Sequence, residues 1–124
     1  MISDTLAQFA GHWYLSLETY RQNGEPVRTP MWFVEKEGVL YVRTPARTAK
    51  VKRLRHNPEV RVAPCTFWGN VQGEWVPGEA RTIPAGQAGW VNGLSRRKYG
   101  LLKWGVDARN WLLQIPFVVI VIHV

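Results

Sequence analysis

Short stretches in which apolar and polar residues alternate dominate the chain, and this two-residue period is typical of half-buried β-strands. Six strands are predicted, separated by turn signals: residues 13–20, 26–36, 39–44, 59–65, 74–83 and 111–124. The pairs Asn23-Gly24 and Glu37-Gly38 predict tight turns, because glycine and asparagine tolerate a positive φ. Evenly spaced strands joined by hairpins favour an antiparallel barrel over a doubly wound parallel sheet.

Three segments have helical rather than strand character: residues 3–10, 48–56 and 85–99. In the middle segment Val51 and Leu54 are three positions apart and basic residues occupy the other faces, which predicts a short amphipathic helix. This helix must end before Pro58, because the residue preceding a proline is pushed out of the α conformation.

The last strand differs from the others because residues 117–122 are apolar on both faces. A strand with one solvated face would alternate, so we expect this one to be covered on both sides. The core can cover one face, and a second subunit is the simplest cover for the other. The pattern therefore predicts a homodimer.

Length and composition fit a single domain over residues 1–124. The one cysteine, Cys65, excludes an internal disulfide and suits a reducing compartment. The start of the chain resembles no signal peptide, and the apolar C-terminal stretch is shorter than the roughly 20 residues of a membrane helix. We therefore expect a cytoplasmic protein. The histidines His12, His56 and His123 are isolated, so no metal site is predicted.

The net charge of +7 favours an anionic partner: nucleic acid, an anionic membrane surface or a phosphorylated ligand. Five bases fall within nine residues with no acid among them: Arg47, Lys50, Lys52, Arg53 and Arg55. Binding of single-stranded nucleic acid needs aromatic residues interleaved with the bases, and this stretch has none, which counts against it. A solvated helix face also explains such a run of charge.

Small hydroxyl residues beside these bases indicate a phosphate pocket. Thr44 ends a predicted strand, Thr48 opens the predicted helix and Lys50 lies in its first turn. A helix N-terminus offers free backbone N–H groups and the positive end of the helix dipole, which together bind anions. The alternative is that Thr48 only caps the helix.

The same residues resemble a motif of the pyridoxamine 5'-phosphate oxidase-like superfamily. That family often shows a threonine, three residues, serine or threonine, one residue and a lysine, followed by leucine and Asn-Pro. The chain has this order as Thr44, Thr48, Lys50, Leu54 and Asn57-Pro58. Residues 24–33 resemble the same family, especially its deazaflavin-dependent oxidoreductases, and the likeness spans about residues 13–83.

The resemblance implies a mainly β fold, a six-stranded antiparallel split β-barrel with short flanking helices. It also implies a cofactor that lies across one strand, with its phosphate held at the start of the helix. The implied cofactor-binding residues are Thr29, Pro30, Met31, Trp32, Thr44, Arg47, Thr48 and Lys50. Pro30 cannot donate to a sheet ladder, so its strand should be an edge strand or locally distorted. We assign Phe33 to the core.

Members of this family use FMN or the deazaflavin coenzyme F-420, whose acidic glutamate tail the extra bases would suit. We therefore favour the deazaflavin, with FMN as the alternative. The expected function is an oxidoreductase that reduces a small conjugated organic substrate, as a homodimer with the cofactor near the interface. The cofactor carries the hydride chemistry, so no general acid or base is nominated. A flavin-binding protein without turnover and a basic nucleic-acid-binding barrel stay open as other functions.

Overall fold

The computed structural model describes residues 6–84 and 117–124. Within them the chain forms seven strands and one regular helix. The strands are β1 (Tyr14–Tyr20), β2 (Pro26–Trp32), β3 (Val34–Lys36), β4 (Val39–Pro45), β5 (Glu59–Cys65), β6 (Val76–Pro84) and β7 (Phe117–His123). The helix, α1 (Ala49–His56), lies between β4 and β5.

All seven strands belong to one antiparallel sheet in the order β2-β1-β5-β6-β7-β4-β3. The strands β2 and β3 stand at opposite edges of this order, yet only Phe33 separates them along the chain. The sheet must therefore curl until its two edges meet at Phe33. The result is a barrel that is split between β2 and β3, as the sequence predicted.

The predicted count of six strands was wrong by one, because the single strand expected over residues 26–36 is divided at Phe33. The ring of Phe33 is buried and packs edge to face on Phe9, with 5.7 Å between ring centroids. Its neighbour Val34 is also buried, but in a different apolar cluster. Consecutive side chains of an extended chain point to opposite faces, so Phe33 and Val34 enter the two different clusters. The pairing is interrupted at Phe33 because the chain crosses there from one edge of the sheet to the other. The assignment of Phe33 to the core is confirmed.

The main core fills the inside of the barrel with the inward side chains of β1, β4, β5 and β7, together with Leu54 of α1 and two residues near the N-terminus. Its buried members include Leu6, Phe9, Leu15, Leu17, Leu40, Val42, Leu54, Val60, Val62, Ile120 and Ile122. Val51 and Leu54 are the buried residues of α1, as its three-residue spacing predicted. The helix is thereby fixed against the sheet at its core-facing side.

The last strand is buried on both faces, as predicted. Ile120 and Ile122 belong to the main core, whereas Val119 and Val121 pack in a second cluster with Val34. These valines are 1% and 4% exposed within a single chain. A second subunit is therefore not needed to cover this face, and the homodimer requires a different argument.

β6 begins at Val76, two residues later than the sequence predicted, because the backbone of Glu74 forms its hydrogen bonds with the side chain of Gln8. Gln8 donates its amide Nε2 to the Glu74 carbonyl and accepts from the Glu74 N–H, both at 2.8 Å. A helix was expected over residues 3–10. In the described part of that range, from residue 6 onward, residues 6–7 are helical. The helical region expected over 85–99 lies outside the described residues.

Candidate functional site

Thr48 caps α1 at the point where the chain leaves β4. Its backbone is extended, with φ of −111°, and its Oγ1 accepts a hydrogen bond from the Val51 N–H at 3.5 Å. The first turn of α1 contains no acidic residue. Because helix N-termini carry partial positive charge and nothing acidic offsets it here, this end of α1 favours an anion.

A cleft of about 630 Å³ opens at this end of α1, and we call it the N-terminal cleft. Its lining residues are Ala46, Arg47, Thr48, Ala49, Val51, Lys52 and Arg55. The structure therefore brings together two of the predicted residues, Arg47 and Thr48, with two further bases. Three cations and a helix N-terminus around one opening suit a phosphate group.

The other two predicted phosphate-binding residues have different surroundings. Thr44 is 2% exposed and lies opposite Val118 in the β4–β7 ladder. Lys50 is half-buried and does not line the N-terminal cleft, although it belongs to the same first turn. Burial, and next the positive charge of Arg53, lower the pKa of Lys50. A bound anion beside this ammonium would offset that penalty.

The strand predicted to carry the cofactor ring is an edge strand, as Pro30 indicated. In β2, Pro30 is exposed, Thr29 and Trp32 are half-buried, and Met31 belongs to the main core. A cofactor ring lying on β2 would contact the backbone of Met31, since the side chain of Met31 points into the core. These four residues line neither the N-terminal cleft nor the cleft described next.

A second cleft, of about 940 Å³, lies between the β1–β2 turn and α1, and we call it the hairpin cleft. Its lining residues are Tyr20, Arg21, Gln22, Asn23, Gly24, Ala49, Lys52, Arg53, His56 and Asn57. Sequence reasoning missed Arg21, because nothing in the local pattern shows that the turn faces α1. Ala49 and Lys52 line both clefts, so the two are neighbours.

A buried ion cluster lies on the outer face of the sheet. Glu18 is fully buried and accepts hydrogen bonds from Arg61 Nε at 2.7 Å, Arg28 Nε at 2.8 Å and the Tyr20 hydroxyl at 2.7 Å. Burial acts to raise the pKa of Glu18, but these hydrogen bonds outweigh it and lower the pKa to about 2. The guanidinium groups of Arg28 and Arg61 lie 4.7 Å and 5.6 Å from the ring centroid of Trp75.

The members of this cluster are far apart in the chain, so no local pattern in the sequence indicates it. Only the strand register shows it, since Glu18 lies directly opposite Arg28 in β2 and Arg61 in β5. With a pKa of about 2 and three hydrogen bonds, the carboxylate has too little affinity for a proton to serve as a general base at neutral pH. Its role is to join three strands beside the proposed ring-binding edge.

An aromatic hairpin tip follows β5. Phe67 and Trp68 are 60% and 81% exposed, and their rings meet edge to face at 5.0 Å. Phe67 also packs on Tyr14 at 5.7 Å, and Tyr14 lies opposite Trp32 in the β1–β2 ladder. The tip therefore lies at the Trp32 end of β2.

Among residues 6–84 and 117–124, no group of three or more His, Cys, Asp or Glu side chains is arranged to hold a metal ion. Over the same residues, no helix is both long enough and apolar enough to span a membrane.

No protein-family model and no curated protein sequence matches the chain. Solved structures do resemble it. A candidate pyridoxamine 5'-phosphate oxidase from Listeria innocua is 20% identical, with a TM-score of 0.62 over 98% of this chain and 90% of that one. An F-420 reductase is 19% identical, with a TM-score of 0.63 over 95% and 90%. The heme storage protein of Vibrio cholerae is 14% identical, with a TM-score of 0.70 over 97% and 87%.

These similarities show the fold. The chain has the split-barrel architecture of pyridoxamine 5'-phosphate oxidase-like proteins, as the motif resemblance implied. Structures with this architecture include both an F-420 reductase and a heme storage protein, so fold alone does not define the ligand.

Proposed function

We propose that the chain binds a phosphate-bearing flavin-type cofactor and acts as an oxidoreductase on a small conjugated organic substrate. One observation carries the proposal: Arg47, Thr48 and Lys52 surround an opening at the acid-free N-terminus of α1. The fold, which an F-420 reductase shares, supports it.

In this proposal the cofactor phosphate binds at the start of α1. The backbone N–H groups of the first turn and the side chains of Arg47, Thr48 and Lys50 would hold it, with Thr44 behind them in β4. The flat ring would lie along Thr29–Trp32 at the open edge of the sheet. Backbone groups of β2 that face away from β1 would address its polar atoms, and Trp32 would flank it.

The bound cofactor would supply the hydride chemistry, and the chain would supply position and electrostatics. The cations at the N-terminus of α1 fix one end of the ligand. The edge strand then fixes the orientation of the other end. We favour the deazaflavin coenzyme F-420 over FMN, because α1 carries more basic residues than the binding of one phosphate group requires.

Titration of the apo-protein with F-420 and with FMN, followed by fluorescence, tests the proposal. We expect saturable binding of both, with tighter binding of F-420. Tighter binding of FMN would reverse the preference, and binding of neither would overturn the proposed cofactor site. Steady-state reduction of a panel of electron-poor substrates then separates an enzyme from a carrier, because a carrier gives no turnover.

We further propose that the chain works as a homodimer with the cofactor near the interface. The support is the aromatic hairpin tip, because a contiguous exposed apolar patch is typical of an interaction surface. The tip lies beside Trp32, so a partner bound there would adjoin the proposed ring site.

A further inference from the structure

We propose that Arg28 and Arg61, which we call the arginine pair, form a binding site for the carboxylate group of a flat, apolar acid on the outer face of the sheet. Neither arginine lines the N-terminal cleft or the hairpin cleft. The site is therefore independent of the proposed cofactor phosphate, and its test uses the chain without any flavin.

Strand register brings the arginine pair together. Glu18 of β1 lies opposite Arg28 of β2 on one side and opposite Arg61 of β5 on the other. The two arginines donate their Nε atoms to different oxygens of this one carboxylate, at 2.8 Å and 2.7 Å. Two cations from separate strands therefore converge on one point of the outer face, above a buried acid.

The bonds to Glu18 leave donors on both arginines for a ligand. Each guanidinium group carries Nη donors in addition to Nε, and it is Nε that bonds to the carboxylate. The side chains of Arg28 and Arg61 are 52% and 43% exposed, whereas that of Glu18 is fully buried. The arginine pair can therefore bond the buried acid on one side and a second carboxylate on the solvent side.

Both guanidinium groups are held in place before any ligand binds. Glu18 anchors them from below and is itself fixed by the Tyr20 hydroxyl, which donates to it at 2.7 Å. The ring of Trp75 lies 4.7 Å from the guanidinium carbon of Arg28 and 5.6 Å from that of Arg61, which are favourable cation–π distances. Donors fixed in this way lose little side-chain entropy on binding.

The charge of the cluster favours a singly charged ligand. The arginine pair contributes two positive charges and Glu18 one negative charge, which leaves a net charge of +1. A planar carboxylate matches the forked donors of arginine, whereas a doubly charged phosphate would be repelled more strongly by Glu18. Glu59 is exposed two positions before Arg61, but within the described residues the arginine pair forms its ion pairs with Glu18.

Apolar surface adjoins the arginine pair on the same face. Trp75 is half-buried beside both guanidinium groups, and Pro30 is exposed two positions after Arg28 in β2. Side chains two positions apart in a strand share a face, so Pro30 lies on the outer face with Arg28. A ligand whose carboxylate binds the arginine pair would rest its body on this surface, which suits a flat, apolar body such as an aromatic ring.

An NMR titration of the isotope-labelled full chain with naphthoate, followed at the Nε–H resonances of its arginines, tests the inference. Naphthamide is the matched uncharged probe, and orthophosphate is the doubly charged one. The titration is repeated on Arg28→Lys and Arg61→Lys and on two control variants, Arg55→Lys in the N-terminal cleft and Arg81→Lys at an exposed residue of β6. Lysine keeps the charge but lacks the forked donors, so all four variants have the same net charge.

We expect naphthoate to shift the Nε–H resonances of Arg28 and Arg61 saturably, at concentrations where naphthamide shifts neither. Arg28→Lys and Arg61→Lys should each weaken naphthoate binding about three- to tenfold, as loss of a bidentate charge-assisted pair requires. Arg55→Lys and Arg81→Lys should leave it nearly unchanged. Orthophosphate should shift the two resonances less than naphthoate does.

Unchanged resonances in the unsubstituted chain would overturn the site, whatever the stability of the variants. An equal response to naphthamide, or equal weakening in all four variants, would also overturn it, since the binding would then be apolar contact or diffuse electrostatics. A stronger response to orthophosphate would overturn the carboxylate class. If neither F-420 nor FMN binds while naphthoate still shifts Arg28 and Arg61 selectively, the proposed function fails and this site stands.

Discussion

Lys50 and Lys52 lie two positions apart in α1 and have different surroundings. Lys52 is exposed and lines both clefts, whereas Lys50 is half-buried beside Arg53 and its pKa is lowered, first by burial. An ion pair is stronger where less water screens it, so a phosphate at the helix N-terminus should gain more from Lys50.

We expect Lys50→Ala to weaken cofactor binding about ten- to hundredfold, the range for loss of a charge-assisted hydrogen bond. Lys52→Ala should weaken it less, since exposed ion pairs contribute about 1 kcal/mol or less. The two variants lose the same charge, so each controls for the other in a fluorescence titration. A larger loss in Lys52→Ala would show that the bases lining the N-terminal cleft hold the phosphate without Lys50, and would remove Lys50 from the site.

Glu18 makes the stability of the fold depend on pH. Its pKa is about 2 in the folded chain against 4.5 ordinarily, because three hydrogen bonds outweigh the effect of burial. A carboxyl group with a depressed pKa stabilises the folded state above its ordinary pKa, and this contribution is lost as pH falls from about 4.5 towards 2. The half-exposed arginine partners reduce the contribution to about 1–3 kcal/mol at neutral pH.

Urea unfolding of Glu18→Gln and of the unsubstituted chain at pH 7 and pH 3 measures this contribution. We expect the variant to be less stable by about 1–3 kcal/mol at pH 7 and the difference to shrink at pH 3. Glu35→Gln, at an exposed residue of β3, controls for the loss of one negative charge. A difference that is the same at both pH values would show that Glu18 contributes through packing rather than ionisation.

At the scale of elements, local signals predicted α1 and the turns well. The helix expected over 48–56 is observed as Ala49–His56 with Thr48 as its cap, since capping and the Pro58 stop are both local. The division of strand 26–36 was not predictable from period alone. It depends on Phe33 reaching Phe9, a residue 24 positions earlier in the chain.

The start of β6 was missed for a similar reason. Gln8 takes the backbone hydrogen bonds of Glu74, and no pattern around residue 74 indicates this partner. The Pro77-Gly78 pair predicts a break in this strand, but β6 runs through both residues, which pair with Arg61 and Val60 of β5. There the end of β7 passes very close to the β6 backbone.

Gly78 tests this close approach. A Cβ at this position would lie 2.6 Å from the His123 carbonyl oxygen, which is backbone and cannot rotate away. We expect Gly78→Ala to lower the free energy of unfolding by about 1–3 kcal/mol, the usual effect of overpacking. Chemical denaturation would measure it, with Glu79→Ala as a neighbouring exposed control in the same strand. A variant as stable as the unsubstituted chain would show that β7 can shift without penalty.

At the scale of the whole molecule, the sequence predicted the barrel and the basic helix start but not the arrangement of charge around them. Arg21 and Arg53 are 32 positions apart, and only the packing of α1 on the end of β1 brings them to one cleft. The Glu18 cluster likewise depends on strand register. Residues of a motif can be recognised from spacing, whereas sites assembled by topology require the fold.

The aromatic hairpin tip leads to the last prediction, which concerns assembly. The apolar faces of β7 are already covered within one chain, so the exposed rings of Phe67 and Trp68 are the better support for a homodimer. Aromatic side chains bury large areas and often dominate the binding energy of interfaces. We expect a dimer at micromolar concentration in sedimentation experiments, and a double substitution of Phe67 and Trp68 to serine to shift it towards monomer.

The size of this shift and its control follow from the exposure of the two rings. Truncating a residue that dominates an interface costs about 2 kcal/mol or more, which corresponds to at least a roughly thirtyfold weaker dimer. Because both rings are largely exposed in the single chain, the substitutions should leave the thermal unfolding of the monomer nearly unchanged. A stable monomer of the unsubstituted chain would reject the dimer. A dimer unaffected by the double substitution would place its interface elsewhere, away from the Trp32 end of β2.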